Sequence, residues 1–508
     1  MMNYENLFPI IIPAITSILL ILIGIPVERA LRGRNLNKLY GGITTIALIF
    51  TSYYSIQQLL KLNATSSIIV EYYNIGPPIG SCFEIDILSV VIGTIAIGIG
   101  LVVSVYSMEY MEHDKSHLFY YVLLLALIAA IVGVAYAGDF FTLFLFYEMM
   151  GVSSYFLVAF RRDNWDAVEA AMKYLFMGAV GSTTVLLAMS FLYGITGTLN
   201  FAQIAQFMNS EHPNAMYINL IIVLLIGGFG VKTAIVPMHS WLIDAHPSAP
   251  SGISAMLSGV VIKTGLYAMI RLLFIAFPIV VYNWNWLLLG VALVTMTIPN
   301  IIALVQDDIK RLLAYSSIYN IGLILVAVAS GTVFGVASGI FHVINHAIMK
   351  GLAFICAGAL IHAVGTRSIK ELRGIGRKMP FTGVIFAISL LALAGVPPFN
   401  GFVSKLFIVM ATLQYEEPIG IFVALITLLN STIAAAYYAR LVKAIWMEPE
   451  TERVKDAHET YSFMSFSFVI LVTLIVVIGV YPYYFFEIAY KAANALLNIT
   501  QYITAANL

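Results

Sequence analysis

The sequence predicts an all-α polytopic membrane protein of about 14 transmembrane helices. Three observations carry that expectation. The 508-residue chain is 61% hydrophobic and only 10% charged, with a mean hydropathy of +0.93, whereas soluble domains are about a quarter charged. Apolar runs of roughly 20 residues recur from end to end, each long enough to cross a hydrocarbon core of about 30 Å. Basic residues gather on alternate connections, as they do when successive runs cross in opposite directions. Lipid offers the backbone no hydrogen-bond partner, so the spans are expected to be helices.

Taken in order, the spans should start near Leu7, Leu39, Ile87, Leu118, Phe140, Val168, Ile218, Gly252, Trp284, Leu312, Val333, Phe381, Ile419 and Tyr461. The first has neither a basic leader nor a small-residue cleavage site and reads as a retained helix rather than a signal peptide. The second is polar for a span. After Val480 the tail YPYYFFEIAYKAANALLNITQY is aromatic and short, fit for the interface or an extra half-span. Connections after odd-numbered spans carry Arg29, Arg32, Arg34 and Lys38, then Lys115, Arg161 and Arg162, Lys310 and Arg311, a group from Arg367 to Lys378, and one from Arg440 to Lys455. The other side holds only Lys61, Arg271 and Lys491. By the positive-inside rule both termini lie outside.

Two cysteines, Cys82 and Cys356, stand far apart with no CxxC pair or His/Cys cluster. That argues against iron–sulfur, zinc or disulfide frameworks. No glycine-rich nucleotide loop follows a strand. No cofactor, metal or nucleic acid is expected on this chain, and any redox chemistry belongs to another subunit.

The remaining basic residues, Lys173, Lys232, Lys263, Lys350 and Lys405, fall inside spans, as does Glu148 in FFTLFLFYEMMGVSSYFLVAF. A charge at mid-bilayer costs at least a few kcal/mol. Snorkelling or a static ion pair could account for one near a helix end; Lys173, beside Glu169, is such a case. Lys263 and Glu148 are deep. Burial disfavours the charged form of any side chain and an opposite charge favours it, so a buried lysine whose neighbours change can exchange a proton near neutral pH. A guanidinium could not. In FHVINHAIMKGLAF, residues His342, His346 and Lys350 share one helical face, each about 6 Å above the last. Imidazole both donates and accepts near physiological pH. A hydrogen-bonded core pair is the plainer alternative; a metal site would need further ligands, and no Asp, Glu or Cys shares the face.

Two spans are interrupted. Pro237 breaks the seventh in VKTAIVPMHSW, and Pro397 and Pro398 break the twelfth in ALAGVPPFNGFVSKLFI. One break would be a packing kink. Two at matching positions, each with a lysine nearby, point to an inverted repeat with ion sites at the breaks. The expectation is a two-halved ion translocator with a polar axis through the bilayer centre.

The ordered motifs FLFYEMMGVSSYFLVAF, EAAMKYLFMGAVGSTTVLL, VKTAIVPMHSWLIDAHPSAPSGISAMLSGVVIKTGLYAMIR, QDDIKRLLAYSSIYNIG, FHVINHAIMKGLAF and GVPPFNGFVSKLFI resemble one family. It comprises the antiporter-like proton-translocating subunits of respiratory complex I, membrane-bound hydrogenase complexes and Mrp-type cation/proton antiporters. The stretch YLFMGAVGSTTVLLAMSFLYGITGTLNFAQIA looks most like the D-type Mrp subunit and its hydrogenase-complex homologue. The resemblance implies N-terminal helices 1–3 over 1–117, inverted five-helix repeats over 118–278 and 279–440, and a fourteenth helix with an interfacial tail over 441–508. It implies that Glu148 pairs with Lys232 and that Lys263 is the central relay. His342, His346 and Lys350 would link the halves, and Lys405 would end the path, with hinges at Pro237, Pro397 and Pro398. Lys173, His239, Asp244 and His246 are candidate accessory residues. Asp307 and Asp308 read as solvated or helix-starting groups.

Some features depart from the family pattern. Tyr147 stands where many relatives have tryptophan, Lys405 where some have glutamate, and no long lateral helix follows the fourteenth span. The implied function is the ion-pumping membrane subunit of a larger assembly, either a redox-driven complex of NADH/ferredoxin dehydrogenase or hydrogenase type or an Mrp Na⁺/H⁺ antiporter, in a prokaryotic cytoplasmic membrane. Implied partners are other antiporter-like and small membrane subunits, a peripheral redox module, protons, Na⁺ and lipid. The alternative is a stand-alone secondary solute transporter, although no organic-substrate pocket is evident.

Overall fold

Helix starts are set by short polar side chains just ahead of apolar runs. Asp86 opens Ile87–Tyr110, its carboxylate accepting from the Ser89 amide while the Ser89 hydroxyl answers the Asp86 amide. Asp139, Asn164, Asn214, Asp308 and Thr332 cap later spans in the same way, satisfying amides that would otherwise lack partners. The computed structural model describes residues 4–31, 35–72, 80–459 and 462–506. Among these residues, thirteen helices are long and apolar enough to cross a membrane. They start within about one turn of the expected positions; Arg32, Arg34 and the expected start at Tyr461 lie outside the described residues.

The interruptions fall where the prolines stand. Ala215–Thr233 is followed by a non-helical stretch holding Pro237 and then by Ser240–Ser248. Pro380–Ala394 and Asn400–Thr412 flank the stretch holding Pro397 and Pro398, and each is too short to span alone. The eighth run is irregular too: Ser251–Met256 passes through a π-type turn at Leu257–Val261 into Ile262–Ala276.

Loops tie to loops at each end of the bundle. At the basic end, Arg161 pairs with Asp114, Arg367 with Asp308 and Arg311 with Asp244. At the opposite end a hairpin pairs Ile69–Tyr72 with Cys82–Ile85, and the residues before the fifth span bridge to it and to Asn200. The tail packs on the bundle. Tyr483–Leu497 buries Ile488, Ala489, Ala492, Ala493 and Leu496 against Val333–Val364. Ile499–Ala506 is held to the hairpin by Tyr72, whose hydroxyl donates to the Ala506 carbonyl at 2.9 Å.

Two expectations about charge need correction. Lys310, read as a loop residue, is 3% exposed and donates to the Ala249 carbonyl at 2.8 Å, because its helix starts at Ile309 and turns it inward. Arg271, read as lying near a helix end, is fully buried against Asp86 and Glu84. Lys173, read as a snorkelling or ion-paired lysine beside Glu169, is half exposed and paired with Glu169 and Asp244.

Helices Trp284–Ala303 and Ile309–Val328 cross closely at Gly322, where a Cβ would lie 2.4 Å from the Met296 nitrogen. Gly322→Ala should therefore destabilise the protein by about 1–3 kcal/mol. A lowered thermal unfolding midpoint of the purified complex is expected, and an unchanged one would mean that the two helices tolerate separation.

Candidate functional site

Three of the four mid-membrane lysines, Lys232, Lys263 and Lys405, lie next to a defect in helix geometry. The π-type turn at Leu257–Val261 loosens the normal ladder, and Lys263 Nζ donates to the Ser258 and Gly259 carbonyls at 2.7 and 2.9 Å. The break after Ala394 leaves terminal carbonyls without helical partners. Lys405 Nζ takes those of Leu393 and Ala394 at 2.7 and 3.2 Å. Gly395 makes this approach feasible: its φ is +89°, and a Cβ there would lie 3.1 Å from Lys405 Cδ, so it meets both requirements for glycine. Lys350 Nζ donates to the Leu313 carbonyl at 2.9 Å and to the Ser316 hydroxyl.

Lys232 ends the first half of the broken seventh span. Its ammonium donates to the Tyr155 hydroxyl at 3.1 Å and lies 5.0, 4.9 and 5.6 Å from the ring centroids of Tyr147, Tyr155 and Tyr174. A cage of this kind stabilises a desolvated cation through ring quadrupoles. Gly151 provides the room; a Cβ there would lie 2.5 Å from Nζ. Tyr147 forms one wall of this cage.

The Glu148–Lys232 pair is open. No ion pair joins them among the described residues; the field of Glu148 reaches the lysine, but the ammonium is directed to Tyr155. Glu148 is half-buried, with Oε1 buried and lacking a hydrogen-bond partner. It lies along an outward stripe of Phe141, Leu145, Val152 and Phe156, so its surroundings would change with whatever covers that face.

The expected stripe runs along Val333–Val364, where His342, His346 and Lys350 are all fully buried. His342 joins two other helices: Nδ1 meets Ser404 Oγ at 2.9 Å and Nε2 meets Asn320 Oδ1 at 3.0 Å. Since Ser404 precedes Lys405, the bond leads to the broken twelfth span. The His346 ring stacks 5.8 Å from that of His342, and neither of its nitrogens has a partner. The charges of Lys263, Lys350 and Lys405 all act on it. Asn320, Ser404, Ser316 and Tyr155 were not singled out from the sequence, although the polar run YSSIYNIG and the Ser before Lys405 were legible signals.

The accessory candidates divide. Lys173 and Asp244 line a polar cavity of about 400 Å³ at the basic end with Asp166, Glu169, Arg311 and Arg367. His239 lies partly exposed at the break, its Nδ1 3.2 Å from the Pro237 carbonyl. His246 is fully buried, stacks 4.6 Å from the Phe354 ring and has no partner on either nitrogen. The charges of Lys350 and Lys310 act on it, so it stands between the basic end and the lysine line. Asp308 caps its helix and pairs with Arg367, and Asp307 pairs with Lys370.

A helical bundle with ammonium groups along its middle defines an antiporter-like, multi-pass membrane subunit. The family described as "NADH:quinone oxidoreductase/Mrp antiporter, TM" matches residues 137–431, more than half of the chain. That described as "NADH-Ubiquinone oxidoreductase (complex I), chain 5 N-terminus" matches 76–121. The chain belongs to the NADH:quinone oxidoreductase/Mrp antiporter family. F420H2 dehydrogenase subunit N of Methanosarcina mazei is 34% identical over 424 residues, 82% of this chain and 85% of that protein. NADH-quinone oxidoreductase subunit N of Trichlorobacter lovleyi is 34% identical, over 68% of this chain and 71% of its own. A chain of the membrane-bound sulfane sulfur reductase, an archaeal respiratory membrane complex, matches with a TM-score of 0.90 at 30% identity, covering 99% of this chain and 100% of that one. A chain of the Mrp complex from Dietzia sp. matches with a TM-score of 0.89 at 23% identity over 99% of both, a likeness of fold.

Asn320→Ala removes the partner of His342 Nε2 and leaves a buried nitrogen unpaired, a loss of about 1–3 kcal/mol. Ion translocation by the intact complex should fall by roughly tenfold or more while assembly on a native gel persists. Wild-type translocation would show that His342 needs no fixed orientation.

Proposed function

We propose that this chain translocates protons as one subunit of a multisubunit membrane complex. One observation carries the reading. Four buried ammonium groups, those of Lys232, Lys263, Lys350 and Lys405, are held by carbonyls, hydroxyls and aromatic rings, with no carboxylate in ion-pair contact among the described residues. A fixed carboxylate would lock a proton in place, whereas neutral dipoles stabilise the charged form enough to form it and little enough to let it go.

In this reading protons enter at the basic end past Asp244, Lys173 and His246. They reach Lys263, which His346 and His342, with Lys350 alongside, link to Lys405. Glu148 and Lys232 form the control point. When a neighbouring subunit drives the glutamate towards the lysine, the proton on Lys232 is held; when it is drawn away, the proton moves on. The breaks at Pro237 and at Pro397 and Pro398 act as hinges, and the broken segments 215–248 and 380–412 mark corresponding members of two inverted five-helix units, 118–278 and 279–440. Residues 1–117 and 441–508 flank them, and the paired short helices over 380–412 make up the broken twelfth span, which with the thirteen long helices gives fourteen.

The names of the relatives support a redox-driven assembly with a peripheral module. The Mrp likeness and the Na⁺/H⁺ antiporter subunit A1 of Staphylococcus haemolyticus, 28% identical over 84% of this chain and 55% of its own length, support an exchange in which Na⁺ takes part. The basic loops favour a cytoplasmic membrane with both termini outside. The D-type likeness of the stretch from Tyr174 to Ala205 remains an inference from sequence.

Lys263→Ala and Glu148→Ala, assembled into the intact complex and placed in sealed vesicles, should each lower proton translocation at least about tenfold. Normal pumping by both assembled variants would make these charges structural and end the proposal.

A further inference from the structure

At the end of the bundle opposite the basic loops, parts of the chain far apart in sequence close over one guanidinium. Arg271 lies two turns beyond Lys263 on the same helix, about 12 Å along its axis. Its Nη1 donates to Asp86 Oδ2 at 2.7 Å, and Nη2 lies 3.6 Å from Glu84 Oε2. The other oxygen of Asp86 accepts from the Ser89 amide at 2.7 Å. Asp139 accepts from the amides of Cys82 and Thr142 and from the Thr142 hydroxyl.

Glu84 is different. It is fully buried, and its one hydrogen bond comes from the Tyr502 hydroxyl at 2.5 Å. Among the described residues its Oε1 accepts no hydrogen bond, and Nε and Nη2 of Arg271 donate none. One guanidinium facing several carboxylates leaves a buried negative charge that a proton on Glu84 would cancel.

The groups facing Glu84 are Arg271 and Tyr267 from the eighth span, Asp86 and Cys82 along its own stretch, Tyr72 from the paired strand, Asp139 ahead of the fifth span, and Tyr502. Burial raises the Glu84 carboxyl to about 7, with Asp86 and Asp139 adding to the rise and Arg271 and the Tyr502 bond opposing it. Glu84 therefore carries its proton below neutrality and loses it above. Tyr267, between Lys263 and Arg271 on one face, donates to the Ala135 carbonyl at 2.6 Å. A cavity of about 30 Å³ is lined by Lys263, Tyr267, Leu88 and Leu496, room for about one water.

We propose that Glu84 is the group that releases protons at this end of the path, and that Tyr502, on the helix Ile499–Ala506, is its cover. This rests on the reading of Lys263 as a relay. The proton leaves the Lys263 ammonium, which becomes a neutral amine, passes by water beside Tyr267 and adds to the Glu84 carboxylate. When Tyr502 withdraws, the neutral carboxyl gives the proton to bulk water and becomes a carboxylate again beside Arg271. Arg271 keeps its charge throughout and is a positioning residue.

The test uses the intact complex in sealed vesicles, with the pH varied on the side that faces the hairpin and assembly checked on a native gel. Wild-type translocation should depend on that pH with a midpoint of about 7. Glu84→Gln should lower translocation at least tenfold. Tyr502→Phe removes a bond to the charged form, so the midpoint should move up by about half to one pH unit. An assembled Glu84→Gln complex that pumps normally, or an unmoved midpoint in Tyr502→Phe, overturns the inference. If Glu84→Gln does not assemble, the Tyr502→Phe profile decides alone. Lys263→Ala separates the two levels: normal pumping there sinks the proton-path reading itself, whereas its loss alongside normal Glu84→Gln and Tyr502→Phe sinks only the role of Glu84.

Discussion

The contact between a buried ammonium and main-chain carbonyls freed by a helix defect is what the rest of this molecule depends on. A regular membrane helix has few carbonyls to spare along its length, so a lysine at mid-bilayer needs a defect or a packed neighbouring helix to supply one. This chain breaks the ladder where a lysine needs it. The π-type turn serves Lys263, and the end of Pro380–Ala394 serves Lys405. The π-type turn lies deep inside the protein, and the eighth span that holds it is among its most buried elements. The lipid-facing helices, such as Phe8–Ala30 and Ile419–Trp446, leave many apolar side chains exposed and carry no such charge.

Much of this could be read in the sequence because its signals are local. Proline marks both breaks, runs of apolar residues mark the spans, and a lysine amid leucines and isoleucines marks the axis. What could not be read depends on neighbours far along the chain. Arg271 meets Asp86 across 185 positions and Tyr502 meets Glu84 across 418, and no spacing rule announces either. Lys310 looks like the adjacent Arg311, yet a 100° step around the helix buries one and exposes the other. Lys173 shows both kinds of signal, since the pair with Glu169 is visible in the spacing, whereas Asp244 joins it from 71 positions away.

The cage around Lys232 clarifies the open pair with Glu148. Three rings and a hydroxyl hold the ammonium without the carboxylate, so the pair need not be closed for the lysine to be buried. The carboxylate lies on an outward stripe, partly exposed, and is free to answer a neighbour. A control point needs one partner held by its own chain and the other left within reach of something else. This site has that form.

The centre and the hairpin end of the proposed path then differ in which partner titrates. At the centre the cations exchange protons and their partners are fixed neutral dipoles. At the hairpin end the cation is a guanidinium that keeps its proton, and the partner able to change is a carboxylate whose bonds are incomplete. Either arrangement avoids a saturated lysine–carboxylate pair, in which both charges would be stabilised and neither would move. A proton path across a low-dielectric interior requires that at each station only one group changes its charge. Choosing lysine where the partners are neutral, and arginine where they are acidic, meets that requirement at both stations with ordinary side chains.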